Sequence, residues 1–188
     1  MQHVLYTGPG LAGVGTSLRY LAQVQRIDMR EAGPTCELAL FVDKLVVRSD
    51  VRTSYGFRDA VDGITRSRES MDPHLRSLGP HFQRHLEYLA IVDAVVFVAD
   101  SQHERSEANA ERLEVLGRDL RRAGRVPDQV RVVFQCNKQD LPNALTTAQV
   151  AQHLEWLDAY YLPSIAKTGI GVFQALRQAV SGLRAAGG

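Results

Sequence analysis

Three short apolar runs punctuate the chain: His3 to Thr7, Ala94 to Ala99, and Val130 to Cys136. Each is rich in valine and is followed by polar or glycine-rich residues, which is the profile of a strand buried on both faces. Amphipathic stretches lie between them. Ser17 to Gln25 follows the first run. Ser101 to Arg122 follows the second and places Leu113, Leu116 and Leu120 at helical spacing. Thr147 to Leu157 and Gly171 to Leu183 complete the set, with Thr147 expected to cap the helix that begins near it. Continuous strands alternating with helices predict an α/β domain: a mostly parallel sheet with helices on both faces.

The stretch from 26 to 90 is less regular. Glu37 to Arg48 reads as one bent strand or as a hairpin turning at Asp43-Lys44. Residues 49 to 80 are polar and carry Gly56, Gly63, Pro73, Gly79 and Pro80, which reads as functional loop or partly disordered chain. No internal repeat, low-complexity tract or domain boundary breaks the pattern. Residues 1–188 are therefore expected to form one domain, a length that can bury a real core.

Composition narrows the function classes. Hydrophobic residues are 45% and charged residues 23%, the usual globular balance. The formal net charge is +1, so no strong field points to nucleic acid or to an anionic membrane. No apolar run reaches the length needed to cross a bilayer, and neither a secretory leader nor a lipidation motif is recognisable, so a cytoplasmic location is expected. The two cysteines, Cys36 and Cys136, lie far apart; Cys136 sits in an apolar run and reads as an inert core thiol. No Cys/His metal spacing occurs.

In sheets of this kind, ligands bind beyond the carboxyl ends of the strands. Three candidate motifs fall there. The first is Gly8-Pro9-Gly10-Leu11-Ala12-Gly13-Val14-Gly15-Thr16-Ser17, which follows a strand and opens a helix as a Walker A loop does. Its glycines let backbone N–H groups wrap a phosphate, and the helix N-terminus adds partial positive charge. Yet no lysine occurs between Met1 and Asp43. Two registers are open. With Gly8 and Gly13 as the motif glycines, Val14 stands for the lysine and Gly15 for the metal-binding Ser/Thr. With Gly10 and Gly15, Thr16 replaces the lysine and Ser17 can still reach a metal. A glycine-rich turn that binds nothing is the alternative to both.

The second motif is Asn137-Lys138-Gln139-Asp140, directly after a buried strand. This NKxD pattern reads guanine: the aspartate accepts two hydrogen bonds from groups that adenine does not offer, the asparagine ties neighbouring loops, and the lysine stem packs along the base. The third, Ser164-Ile165-Ala166-Lys167-Thr168-Gly169, is similar to the loop that covers the base in Ras-like proteins.

At Gly8 to Leu11, Val95 to Gln102, Asn137 to Ala144 and Thr168 to Phe173, the chain resembles the MglA family of bacterial Ras-like GTPases, which control cell polarity and gliding motility. The resemblance runs over residues 1 to 24 and 92 to 180. It implies a Ras-like P-loop fold, GDP or GTP with Mg²⁺, nucleotide contacts through Gly8, Gly10, Gly13, Val14, Gly15, Thr16, Ser17, Asn137, Lys138, Asp140, Ala166 and Lys167, and a roadblock-type protein partner. The departures are specific. A Lys-Thr pair follows the last loop glycine in the family, where gapless alignment gives Val14 and Gly15. An Arg-Thr pair in the family's first switch is matched by Arg52-Thr53 only with an insertion before it. The glutamine that orients the attacking water is replaced by Pro80 in Leu78-Gly79-Pro80, with Gln83 out of register.

Phosphoryl transfer depends on positioning and charge stabilisation. Loss of the lysine, of a metal ligand and of the water-orienting glutamine therefore predicts a pseudo-GTPase: an interaction module that binds guanine nucleotide weakly or not at all, with no catalytic residue and no resident metal. The alternative is an active, atypical switch using Arg52 as the catalytic charge, with Ser17 and Thr53 on Mg²⁺. In the first reading the working surface is the switch region, residues 49–90, where Leu75, Leu78, Phe82, Leu86 and Leu89 recur at three- and four-residue steps; the alternative is that this stripe packs on the sheet, which is the expectation for Leu86 and Leu89, nearest the next strand. Its partner is expected to be a protein, with no nucleic acid and no membrane insertion.

Overall fold

A computed structural model describes residues 2–25, 30–32, 37–42, 45–49, 85–156, 158–181 and 183. Among these described residues, seven strands form one sheet in the order β2-β3-β4-β1-β5-β6-β7. They are β1 (Gln2–Thr7), β2 (Arg30–Ala32), β3 (Glu37–Val42), β4 (Leu45–Ser49), β5 (Ala94–Asp100), β6 (Arg131–Asn137) and β7 (Tyr160–Pro163). The pairs β4–β1, β1–β5, β5–β6 and β6–β7 are parallel, while β2–β3 and β3–β4 are antiparallel. Glu37 to Arg48 is thus a hairpin rather than a bent strand: Val42 pairs with Leu45, leaving 43–44 as the connection.

All seven residues of β5 are buried, because helices cover both faces of the strand. On one face, Val4, Tyr6, Val96, Val98 and Val133 pack against Leu18 and Leu21 of α1 (Val14–Gln25) and against Val172, Ala175 and Ala179 of the C-terminal helix. On the other, Leu5, Val95, Phe97 and Phe134 pack against Leu89 of the helical segment 85–91, Leu113, Leu116 and Leu120 of α2 (Ser106–Arg122), and Val150 and Leu154 of α3 (Thr147–Leu154). The C-terminal helix is α4 (Val172–Ser181). Removing one such large apolar side chain from water is worth about 2 kcal/mol, so the two interiors supply the main drive for the doubly covered sheet.

Several expectations are adjusted. The cap of α3 is Thr146, not Thr147: the Thr146 hydroxyl accepts from the Gln149 N–H at 3.3 Å, and the Gln149 side chain accepts from the Thr146 N–H at 2.9 Å. Only Thr146 has a glutamine three residues on, which a capping box needs. α3 ends at Leu154 because Glu155 turns left-handed, with φ 50°. The helical stretch after β5 begins at Ser106; a 3₁₀ turn at His103–Arg105 precedes it. α1 begins three residues earlier than the amphipathic pattern indicated, at Val14. β7 had no counterpart in the sequence reading, since four partly exposed edge residues make no buried apolar run. Cys136 is a buried free thiol, and burial pushes its pKa up to about 12, as an inert core position requires.

The chain leaves β1 toward β4, β3 and β2 on one side and passes to β5, β6 and β7 on the other. β1 is therefore the point where strand order reverses, and in sheets of this kind ligands bind beyond the carboxyl end of that strand.

Candidate functional site

The loop after β1 lies at that end of the sheet. Gly8 runs against β5 so closely that a Cβ would sit 2.3 Å from the Val98 carbonyl oxygen. Gly13 adopts φ 109°, and a Cβ there would lie 2.2 Å from Asn137 Nδ2. Both positions need glycine for contact, and Gly13 needs it for conformation as well. Gly10 has open space around it. Leu11 is left-handed, with φ 68°, and is 84% exposed. α1 starts at Val14 with Gly15 next; Thr16 is exposed. Ser17 is fully buried: its hydroxyl donates to the Gly13 carbonyl at 3.0 Å and accepts from Gln135 Nε2 at 2.8 Å.

Asn137 ends β6 and joins three loops. Its Nδ2 donates to the Ala12 carbonyl at 2.7 Å, and its Oδ1 accepts from the Ala166 N–H at 2.7 Å and the Ser164 hydroxyl at 3.4 Å. Lys138 follows in a left-handed conformation, with φ 69°. Its ammonium donates to Asp100 Oδ2 at 2.6 Å and Gln102 Oε1 at 2.9 Å. Gln139 holds the loop from behind, donating to the Ser101 hydroxyl and the Leu145 carbonyl. Asp140 and Lys167 are exposed, and Ala166 is buried. The loop 164–171 is kept close by two glycines: a Cβ at Gly169 would run into the Tyr20 ring, and one at Gly171 into the Pro163 carbonyl oxygen.

The tertiary structure thus brings the residues of all three motifs, Gly8 to Ser17, Asn137 to Asp140 and Ala166-Lys167, to one end of the sheet. Arg52, Thr53, Pro80 and Gln83 lie outside the described residues, as do Leu75, Leu78 and Phe82. Leu89 and Tyr88 are buried, Leu86 packs against the same core, and the Tyr88 hydroxyl donates to the Val4 carbonyl at 3.2 Å. Leu86 and Leu89 thus pack on the sheet, as expected of the two nearest β5, and Tyr88 joins them, so these three do not contribute to a surface at 49–90.

Sequence reasoning assigned no role to Asp100, Arg105, Asn109 or Arg112. Asp100 is fully buried at the end of β5, and Asn109 bonds both its backbone N–H and its carbonyl, at 2.9 and 2.8 Å. Arg105 Nη2 donates to the Gly10 carbonyl at 2.7 Å. Buried Arg112 donates Nε and Nη2 to the Thr7 hydroxyl at 3.1 and 2.7 Å, directly beneath the loop. Burial lowers its pKa to about 10, against the opposing field of Asp119. The signal for Asp100 was present, an aspartate at the end of a buried strand; the arginines sit on helix faces where a charge ordinarily reads as solvated.

Residues 81–185 match the ADP-ribosylation factor family. The chain is also similar to the mutual gliding-motility protein MglA of Myxococcus xanthus (strain DK1622), 33% identical over 179 residues that cover 93% of this chain and 86% of the relative. The chain belongs to the Arf/Ras-like family of small GTPases. This agrees with the parallel sheet, its helices and the loops at its carboxyl end. The stretch matched to the family covers Asn137 to Asp140 and starts beyond Gly8 to Ser17 and residues 50–80. Among the described residues, no helix is long and apolar enough to cross a membrane.

Proposed function

We propose that this protein is a Ras-like interaction module of bacterial polarity or motility control, with a base-reading loop retained and a phosphate loop too poor in charge to turn over GTP. The observation that carries the reading is Val14 as the first residue of α1, immediately after positive-φ Gly13. A Walker A lysine stands at that junction of last motif glycine and helix. The close approach of Gly8 to β5 and of Gly13 to Asn137 supports the register with those two as motif glycines. Gly15 then falls where the metal-binding Ser/Thr belongs and offers no oxygen from its side chain.

The described residues fit the two halves of a nucleotide unequally. Toward guanine, Asp140 supplies the carboxylate, Lys138 and Lys167 the packing stems, and the Asn137–Ala166 bond the frame. Toward Mg²⁺ and the phosphates the donor set does not fit: Ser17 turns its hydroxyl into the core between Gly13 and Gln135, and the lysine is missing. One absent preorganised charge of this kind commonly costs several kcal/mol in binding or barrier. The working element is then a surface that engages another protein.

The partner is proposed to be a protein of the roadblock type, bound through the switch surface within residues 49–85. Without a γ-phosphate to order that surface, its binding shape is constitutive, so partner affinity is independent of nucleotide. Calorimetric titration of a roadblock-type protein without nucleotide, with GDP and with a GTP analogue tests this. Equal affinity is expected; a tenfold gain with the analogue, about 1.4 kcal/mol, would overturn the reading in favour of an active switch.

A further inference from the structure

Asp100 places its two carboxylate oxygens in different roles. Oδ1 accepts the Gln102 N–H at 3.2 Å and so belongs to its own loop. Oδ2 faces two cations, Lys138 Nζ at 2.6 Å and Arg105 Nε at 3.7 Å. The carboxylate has little room to shift to suit either: Asn109 fixes the Asp100 backbone, the Gln102 N–H holds Oδ1, and the side chain is fully buried. The cations can shift: their side chains keep 27% and 30% of their surface, whereas that of Asp100 keeps none. Lys138 and Arg105 therefore share one fixed oxygen, Lys138 at hydrogen-bond distance and Arg105 beyond it, and their like charges oppose each other's closer approach.

Arg105 carries this opposition to the phosphate loop. Its Nη2 holds the Gly10 carbonyl at 2.7 Å. Among the described residues every peptide bond is trans, and in a trans peptide the carbonyl and the next N–H point in opposite directions. Fixing the Gly10 oxygen thus fixes the direction of the Leu11 N–H, at a residue already held left-handed. A phosphate loop works by aiming such N–H groups inward, and this one has no lysine of its own to brace it.

The geometry points to Asp100 and Arg105 as positioning residues that relay the state of Lys138, in the base-reading loop, to Gly10 and Leu11 in the phosphate loop. While Lys138 occupies Oδ2, Arg105 is held at a distance. When Lys138 is drawn along a bound base, Oδ2 is released, Arg105 closes on it, and the phosphate loop tightens. The relay rests on the reading that the two loops form one nucleotide-type site, and it deepens that reading with a coupling between its halves.

The test is hydrogen–deuterium exchange on the ligand-free full chain, comparing wild type with Arg105→Ala, Arg105→Lys and Lys138→Ala. Arg105→Ala is expected to speed exchange in residues 8–13 at least fivefold, and Arg105→Lys to recover part of the protection. Lys138→Ala is expected to slow exchange in the same segment at least twofold, since Arg105 then has Oδ2 to itself. Loosening caused by mere structural damage has the opposite sign. Exchange in β5 and β6 checks that each variant is folded, and should Arg105→Ala fail that check, the Lys138→Ala arm decides alone. Unchanged exchange of residues 8–13 in folded Arg105→Ala, or unchanged or faster exchange there in Lys138→Ala, would overturn the relay. No nucleotide enters the experiment, so its result stands apart from whether GDP binds.

Discussion

Asn137 Nδ2 lies 2.7 Å from the carbonyl oxygen of Ala12, a residue 125 positions away in the chain. Through this bond and the one from the Ala166 N–H, one amide side chain at the end of β6 fixes both the loop after β1 and the loop after β7. Asn137 is 4% exposed, so water cannot replace what it provides. Asn137→Ala would leave buried partners unpaired, each at about 1–3 kcal/mol. A loss of about 3 kcal/mol in urea unfolding is expected. A loss under about 1 kcal/mol would mean that the loops hold their positions without it.

The loop glycines are expected to separate sharply. Gly13→Ala meets both a left-handed φ of 109° and a Cβ 2.2 Å from Asn137 Nδ2, and should cost at least about 2 kcal/mol. Gly10→Ala meets open space and should stay within about 0.5 kcal/mol. Thermal melts of the two variants side by side give the comparison; equal losses would contradict the loop geometry.

At α3, Thr146→Ala removes the cap and should cost about 1 kcal/mol, while Thr147→Ala should be close to neutral. The reverse order in denaturant titrations would move the helix start by one residue.

Burial raises the Cys136 thiol from an ordinary value near 9.0 to about 12. The folded state then keeps the proton that the unfolded chain gives up. The stabilisation is complete below about pH 9 and falls as pH rises toward 12, by about 1.4 kcal/mol per pH unit. Measured against Cys136→Ala, the stability of the wild type should therefore drop by about 1.4 kcal/mol between pH 8 and pH 10. In a Cys36→Ser background, Cys136 should also resist alkylation at pH 8 until the protein is unfolded. Rapid labelling of the folded chain would contradict its placement.

Restoring charge to the loop tests its register. Val14→Lys with Gly15→Thr is expected to create GDP binding at least tenfold tighter than in the wild type, about 1.4 kcal/mol, with GDP favoured over ADP, as the base-reading role proposed for Asp140 requires. If Thr16→Lys alone does so instead, Gly10 and Gly15 are the motif glycines. Fluorescent-nucleotide titration separates the two.

The fold class and the gathering of the three motif loops at one end of the sheet were legible in the chain alone. The valine runs of β1, β5 and β6 are apolar on both faces, and only a sheet covered on both sides buries such strands; the residues at their carboxyl ends are then placed by topology alone. Local spacing also settled α2, α3 and α4 to within a few residues. Short edge strands were not legible: β2 and β7 gain their partners from distant chain, and four half-exposed residues such as Tyr160 to Pro163 carry no periodic signal. Nor could the chain show that Ser17 points into the core at Gln135, that the Tyr88 hydroxyl bonds the Val4 carbonyl, or that Arg105 and Lys138 meet on one oxygen of Asp100. Each of these joins residues far apart in sequence. A side chain's partner is set by where packing delivers it, and spacing along the chain encodes only which face it starts from.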